Sequence, residues 1–535
     1  LENEGVRYIF GLPGEENLQV LEALRQSSIQ FITTRHEQGA AFMADVYGRL
    51  TGQAGVCLST LGPGATNLMT GVADANLDGA PLVAITGQVG TDRMHIESHQ
   101  YLDLVAMFAP VTKWNTQIVR PSNTPEIVRR AFKVAETEKP GAVHIDLPEN
   151  IAAMPALGEP LNKGDLEKTF AAFRSIEQAA AAIAQAENPL ILAGNGVIRA
   201  NASEALTKFA TQLNIPVANT FMGKGVIPCS HPLALWAVGL QQRDYISCGF
   251  DHTDLVIAIG YDLIEYSPKK WNPHGDIPIL YIGSTPAEID SSYIPMVEVV
   301  GDISDSLREI LRRTDRQGKP EPYAVQLGAN IRADYEQYAQ DDSFPMRPQK
   351  LIYDLRRVMA PEDIVISDVG AHKMWMARQY HCDRPNTCII SNGFAAMGIA
   401  IPGALAAKLV YPQRKVVAVT GDGGFMMNAQ ELETALRVGT PFVTIIFNDG
   451  GYGLIEWKQQ SHSIPPAFVH FGNPDFVKLA ESMGLKGYRI ESCFDLIPTL
   501  KTALEQDVPA VIDCPVDYRE NLLFSQRSDS LSCQT

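Results

Sequence analysis

Cysteine is scarce and scattered in this chain. The eight residues, Cys57, Cys229, Cys248, Cys382, Cys388, Cys493, Cys514 and Cys533, form no C-x-x-C pair. That excludes the common zinc knuckles and a disulfide-stapled small fold, and it fits buried thiols in a reducing cytoplasm. Basic charge is short as well: 44 Lys and Arg stand against 61 Asp and Glu, a net charge of −17. Nucleic acid and anionic membrane surfaces, which both need a basic face, are therefore excluded as main partners. A small anionic substrate is not, since a pocket can be locally positive on an acidic protein. No apolar run reaches membrane-spanning length, and no signal peptide opens the chain. Leu1-Glu-Asn-Glu-Gly5 reads as the end of a helix entering a strand from Val6 to Phe10. The natural start is expected upstream, which leaves room for a targeting segment, a plastid one included.

What is present is ordinary for a large globular enzyme. The 535 residues are 45% hydrophobic and 20% charged, too many for one core and enough for roughly three or four domains. Apolar strand-like runs alternate with helical patterns throughout: Gly55–Ser59, Pro81–Thr86, Ala142–Asp146, Leu190–Ala193, Leu255–Gly260, Ile364–Ser367, Val416–Thr420 and Phe442–Phe447. Such alternation predicts parallel sheets covered by helices on both faces. A shift of 360 residues aligns the outer thirds: Val56 meets Val416, Thr60 meets Thr420, Gly64 meets Gly424, Ala75 meets Ala435 and Pro81 meets Pro441. Near the ends, Pro140-Gly-Ala-Val-His-Ile-Asp146 is similar to Val508-Pro-Ala-Val-Ile-Asp513. Two domains of one topology, with a different domain between them, follow. The charged, proline-bearing stretches near 157–168 and 313–349 read as linkers.

The chemistry concentrates in the last third. Lys415-Val-Val-Ala-Val-Thr420 is a buried strand running into Gly421-Asp-Gly-Gly-Phe425 and then a helix-like Ala429–Val438. Glycines after a strand let backbone N–H groups approach a phosphate, and a helix N-terminus favours its charge. Asp422 among phosphate oxygens makes sense only with a cation between them. The next strand ends in Asn448-Asp-Gly-Gly451, with 24 residues separating Gly423 from Asn448. Adjacent parallel strands would set Asp422 and Asn448 side by side at their C-terminal ends, where open α/β sheets bind ligands, and oxygen ligands plus a diphosphate suit Mg²⁺. Either residue alone is more often a plain turn former; the pair is the signal. In the 360 register Gly62 replaces Asp422 and Gln88 replaces Asn448, so only one copy keeps the metal carboxylate.

Gly421-Asp-Gly423 followed by Asn448 resembles the motif of thiamine-diphosphate enzymes, and the resemblance spans the whole chain. Arg35-His-Glu-Gln-Gly-Ala-Ala-Phe-Met43, Leu61-Gly-Pro-Gly-Ala-Thr-Asn67 and Ser391-Asn-Gly-Phe-Ala-Ala-Met-Gly398 resemble acetolactate synthases in particular. Gly260-Tyr-Asp-Leu-Ile-Glu-Tyr-Ser-Pro268 with Trp271-Asn272 is similar to their flavin-free catabolic branch, whereas Trp457 resembles the biosynthetic one. The resemblance implies an α/β fold of three domains: a pyrimidine-binding domain over 1–157, a Rossmann-like domain over 168–315 and a diphosphate- and metal-binding domain over 345–520, with a tail over 521–535. It implies thiamine diphosphate and Mg²⁺ as cofactors. The Arg-Phe-Asp-Asp-Arg stretch that goes with flavin in the biosynthetic branch is missing, which weighs against FAD.

The same resemblance implies roles. Glu37 would bond the pyrimidine N1′ and favour loss of the C2 proton. Met397 would wedge under the cofactor, and the Ala395 carbonyl would accept from its 4′-amino group. Gly370, Ala371 and His372, with Gly421, Asp422, Gly423, Gly424 and Phe425, would contact the diphosphate. Asp422, Asn448 and the Gly450 carbonyl would hold the metal. Gly11, in the Gly11-Leu-Pro-Gly14 turn, together with Gln100, Leu454 and Trp457, would approach the substrate. Glu15 and Glu16 depart from that pattern by adding negative charge near a 2-oxo acid. The activity implied is acetolactate synthesis: pyruvate is decarboxylated and its two-carbon remainder is joined to a second pyruvate or to 2-oxobutyrate. A homodimer or homotetramer with sites at the subunit interface is implied with it. A pyruvate oxidase-like flavoenzyme and a specialised acyloin synthase are the alternatives on the same scaffold.

Overall fold

A computed structural model of the chain describes residues 1–156, 158–164, 168–239, 245–315 and 322–521; the C-terminal tail lies, from 522 onward, outside them. The fold is α/β, with three parallel six-stranded sheets. The first holds β1 (Tyr8–Gly11), β2 (Gln30–Thr33), β3 (Gly55–Ser59), β4 (Leu82–Gln88), β5 (Trp114–Gln117) and β6 (Ala142–Pro148). The second holds β7 (Pro189–Ala193), β8 (Val217–Asn219), β9 (Ala234–Ala237), β10 (Leu255–Ile259), β11 (Ile279–Gly283) and β12 (Val297–Val300). The third holds β13 (Ile364–Ser367), β14 (Cys388–Ile390), β15 (Val416–Gly421), β16 (Val443–Asn448), β17 (Lys486–Arg489) and β18 (Ala510–Pro515). The central strands are buried along their length, as the continuous Val, Ile and Ala runs require of a sheet covered on both faces.

The first and third sheets share one order, β2-β1-β3-β4-β6-β5 and β14-β13-β15-β16-β18-β17. The internal repeat is thus a repeat of topology. The middle sheet runs β12-β11-β10-β7-β8-β9, the doubly wound Rossmann order whose crevice opens where the winding reverses, between β7 and β10. Six cysteines, Cys57, Cys229, Cys382, Cys388, Cys493 and Cys514, are free and buried.

The outer domains share a core. The helix Glu37–Thr51 buries Ala40, Ala41, Phe42, Met43, Ala44, Val46 and Leu50 in one cluster with Ile399, Ala400, Ala404 and Ala407 from the third domain. Its small residues permit this all-round burial: a Cβ on Gly48 would lie 2.3 Å from the Pro81 carbonyl oxygen. The stretch near 313–349, expected to be a linker, instead carries the helix Pro322–Glu336. Leu327, Ile331 and Tyr335, four residues apart, pack it on the middle core, a stripe that the surrounding charges mask in sequence.

Candidate cofactor and metal site

β15 and β16 pair in parallel with Gly421 opposite Phe447, so the next residues along, Asp422 and Asn448, emerge together at the carboxyl edge. Asp422 opens the short helix Asp422–Asn428 and is buried. Its Oδ1 accepts from Gly423 N at 2.8 Å and its Oδ2 from Gly450 N at 2.8 Å. Burial raises its carboxyl above the ordinary range, and no lysine, arginine or histidine pairs with it among the described residues. Asn448 donates to Asp513 Oδ1 at 2.8 Å, which aims its own Oδ1 away from that carboxylate. Asn473, absent from the sequence-level expectations, closes the group: its Nδ2 donates to Asp422 Oδ2 at 2.7 Å and to Asn448 Oδ1 at 3.1 Å. One nitrogen reaching both oxygens shows that they converge on a common point. Neighbouring Asp449 is pushed up to about 8 by burial and by the Asp422 charge.

No cluster of three or more His, Cys, Asp or Glu side chains among the described residues could hold a metal. A cation at Asp422 and Asn448 therefore needs further oxygens, from the Gly450 carbonyl and from a ligand, as Mg²⁺ does when it rides on a diphosphate. A buried carboxylate with no protein cation fits such an ion. The phosphate side fits too. His372 lies in the helix Ala371–Gln379 beside Gly421, is buried, and its Nε2 has no hydrogen-bond partner. Burial drives its imidazole down to about 3, so it is a neutral donor or acceptor. Gly424 leaves little room for a side chain, since a Cβ would press to 3.0 Å on Thr420 Oγ1 and 3.2 Å on Asp368 Cγ. Phe425, by contrast, turns its ring into the core against Phe476, centroids 5.2 Å apart; only its backbone is left for a ligand.

Asp368, at the tip of β13, was also missed. Buried and raised to about 6 by that burial, it accepts from Val369 N at 2.7 Å and Gly398 N at 2.8 Å, which ties the Ser391–Gly398 loop to the sheet. The loop's other end is held by the first domain. Asp74 Oδ1 accepts from Ser391 Oγ at 2.6 Å, and Asp78 accepts from Asn392 N at 3.1 Å and from Gly393 N. Between these anchors Ala395 adopts a left-handed φ of 58°, a conformation costly for a residue with a Cβ, and Met397 is half-buried.

Glu37 begins the helix Glu37–Thr51 and is 8% exposed; its Oε2 accepts from Asn67 Nδ2 at 3.0 Å. Among the described residues no hydrogen bond joins it to the Asp422 group. Gln100 is exposed, with φ 58°, and its carbonyl backs onto Gly62. Gly11 has a packing reason to be glycine, since a Cβ there would meet the Leu58 carbonyl oxygen at 2.1 Å. Glu16 is turned aside to accept from Thr60 Oγ1 at 2.5 Å. Leu454 and Trp457 share the helix Gly453–Ser461. Trp457 is buried in the third-domain core and Leu454 packs against that core, while Trp457 also borders a cavity of about 420 Å³ with Asp449 and Tyr518.

Comparison with known proteins agrees with this layout. Three family models match in order: the N-terminal TPP binding domain of thiamine pyrophosphate enzymes over residues 1–107, their central domain over 176–310, and their C-terminal TPP binding domain over 368–514. The chain is 37% identical over 531 residues to the catabolic acetolactate synthase of Raoultella terrigena, covering 98% of this chain and 95% of that one. It is 36% identical over 540 residues to the acetolactate synthase of Bacillus subtilis, covering 98% and 92%. It is 37% identical over 551 residues to a probable acetolactate synthase large subunit of Methanococcus aeolicus, covering 97% and 90%.

Proposed function

This chain belongs to the acetolactate synthase family of thiamine pyrophosphate enzymes, and from that premise we propose that it condenses two molecules of pyruvate to 2-acetolactate and CO₂, with Mg²⁺ and thiamine diphosphate as cofactors. The observation that carries the site assignment is the convergence of Asp422 Oδ2 and Asn448 Oδ1 on one donor. Asp422, Asn448 and the Gly450 carbonyl would hold the cation. His372 and the backbone of Gly370, Ala371 and Gly421 to Phe425 would hold the diphosphate. Ala395 and Met397, on a loop clamped at both ends, would set the shape of the bound molecule.

Bound thiamine diphosphate supplies the carbon nucleophile that attacks the 2-oxo group. Glu37 supplies the proton traffic. Asn67 occupies its Oε2, leaving Oε1 to exchange a proton with the pyrimidine ring nitrogen. The neutral His372 would offer its unpartnered Nε2 to the diphosphate without adding charge. Gly11, Gln100, Leu454 and Trp457 remain assigned to the substrate side. Glu37 and Asp422 lie on two domains, and among the described residues no hydrogen bond joins the two side chains, which supports a homodimer in which one subunit's Glu37 faces its partner's metal site. Exposed Ile96, Leu102, Phe394, Met426 and Met427 on the two domains support the same assembly. Higher assembly to a tetramer builds on that dimer. No helix among the described residues is long and apolar enough to cross a membrane.

Flavin is not required in this scheme. The turn after β7, where a doubly wound sheet takes a dinucleotide phosphate, is filled by the Glu265 carboxylate, which accepts from Asn195 N at 3.0 and 3.1 Å and from Thr220 Oγ1 at 2.5 Å. The oxidase-like and acyloin alternatives are not favoured, since the relatives above are acetolactate synthases by name. The purified chain with Mg²⁺, thiamine diphosphate and pyruvate is expected to form acetolactate with one CO₂ for every two pyruvates, without added flavin. Pyruvate consumption without acetolactate would refute the assignment.

A further inference from the structure

Every oxygen assigned to the cation already faces a hydrogen-bond donor, and one short segment supplies a donor to all three. Asn473 Nδ2 donates to Asp422 Oδ2 at 2.7 Å and to Asn448 Oδ1 at 3.1 Å. Two residues earlier, Phe471 N donates to the Gly450 carbonyl at 3.2 Å. An amide NH₂ offers two partial positive charges to two oxygens, the same electrostatic service as a cation at a fraction of the charge. It cannot share the place with one. Mg²⁺ takes oxygens at about 2.0–2.1 Å, which would drive its charge into the Asn473 hydrogens pointing at those same oxygens.

The segment is built to yield there. On its N-terminal side it is fixed, since Gly451 bridges His470 and Tyr452 N donates to Val469 O at 2.8 Å. On its C-terminal side Asp475 caps the helix Phe476–Ser482 through Lys478 N at 3.2 Å. Between the two fixed ends stands Gly472, exposed, with nothing within 4 Å of where a Cβ would be.

We propose that Phe471–Asn473 is a strap that occupies the metal oxygens until the cation arrives and is displaced by it, which makes Asn473 a positioning residue and not a metal ligand. The strap sets a competition for these oxygens that a cation carrying a diphosphate wins. This rests on the metal site assigned above.

The test is Mn²⁺ binding to the full chain in the presence of thiamine diphosphate, read from the free-ion electron paramagnetic resonance signal and independent of turnover. Asn473→Ala is expected to bind Mn²⁺ about five- to tenfold more tightly, because two hydrogen bonds no longer compete. Equal or weaker binding by Asn473→Ala overturns the strap, since weaker binding makes Asn473 a ligand and equal binding a bystander. Failure of the unmodified chain to bind Mn²⁺ would instead overturn the metal site itself, and the strap with it. Hydrogen exchange on the unmodified chain gives a second reading that needs no variant. Adding Mg²⁺ and thiamine diphosphate is expected to speed exchange at the Phe471 amide, whose bond to Gly450 is released. Unchanged or slower exchange there overturns the proposal.

Discussion

Replacing Arg49 by alanine should be among the costliest single changes in the chain. Its guanidinium serves three carboxylates whose side chains are fully buried: Nε reaches Asp45 at 2.7 Å, and Nη2 reaches Asp74 at 3.1 Å and Asp78 at 2.5 Å. Nη1 donates to the Ile390 carbonyl at 3.1 Å. Lys373, itself lowered to about 8 by burial, is a second cation acting on Asp74 and Asp78. Removing one partner of a buried ion pair costs about 3–5 kcal/mol, because the partner is left charged without compensation. Here three acids lose it together, but they can discharge by taking protons, so the total stays near that range. The deficit should shrink as pH falls, since burial already lifts the Asp45 and Asp74 carboxyls. Urea unfolding followed by far-ultraviolet circular dichroism at pH 5.5 and 8 would measure both. Arg49→Lys keeps the charge but not the fork and should fall between. The same acids hold Ser391, Asn392 and Gly393, so thiamine diphosphate affinity should weaken alongside stability. A loss below about 1 kcal/mol at pH 8, where a buried pair is expected to cost several times more, would refute the reasoning and reduce the cluster to a tolerated accident.

Glu37→Gln should retain cofactor binding by calorimetry and lose roughly 100-fold or more in kcat, the usual worth of a placed proton carrier; unchanged turnover would remove Glu37 from the chemistry. His144 is stacked on Phe108 at 4.0 Å and held down to about 3 by burial. That value lies below the ordinary 6.5, so its contribution to stability is present above pH 6.5 and is lost as pH falls toward 3. His144→Phe should therefore lose about 1.6 kcal/mol less than the parent between pH 6.5 and pH 5, read from urea midpoints at both; an identical pH slope would contradict it. Gly11→Ala should cost about 3 kcal/mol or more in the same assay, a severe case for one added methyl, because its Cβ would strike the Leu58 carbonyl at 2.1 Å and part β1 from β3.

Much of this was legible in the sequence where one physical requirement dominates. Strands buried on both faces leave unbroken apolar runs, and Gly55–Ser59 and Ile364–Ser367 were read at their true bounds. Asp422 and Asn448 were legible because each ends such a run, and parallel register brings strand ends together. Asn473 was not, since Asn in a Phe-Gly-Asn-Pro stretch is an ordinary turn residue until the chain returns at His470 to meet Gly451. Asp368 carried a faint signal, an acid between a strand and the glycine of Ser367-Asp-Val-Gly370. Arg49, Asp74 and Asp78 carried none, because charges on a helical pattern read as a solvated face. Trp457 was chosen for the substrate by resemblance alone. It is buried in the third-domain core, against which Leu454 and Tyr518 also pack, an arrangement that no local pattern reports.

The core shared by the first and third domains also sets a timetable. The helix Glu37–Thr51 is polymerised some 350 residues before its neighbour Ala400–Val410. At roughly 5–20 residues per second the gap is on the order of 20–70 s. Through that interval Ala40, Phe42 and Met43 lack the third-domain members of their core cluster, while the Rossmann sheet, whose strands are contiguous in sequence, can close on its own. A chain interrupted after Glu336, once the helix Pro322–Glu336 has closed the middle core, would carry a finished middle and an apolar helix with nowhere to go. Such a fragment is a substrate for chaperones and proteases rather than a smaller enzyme.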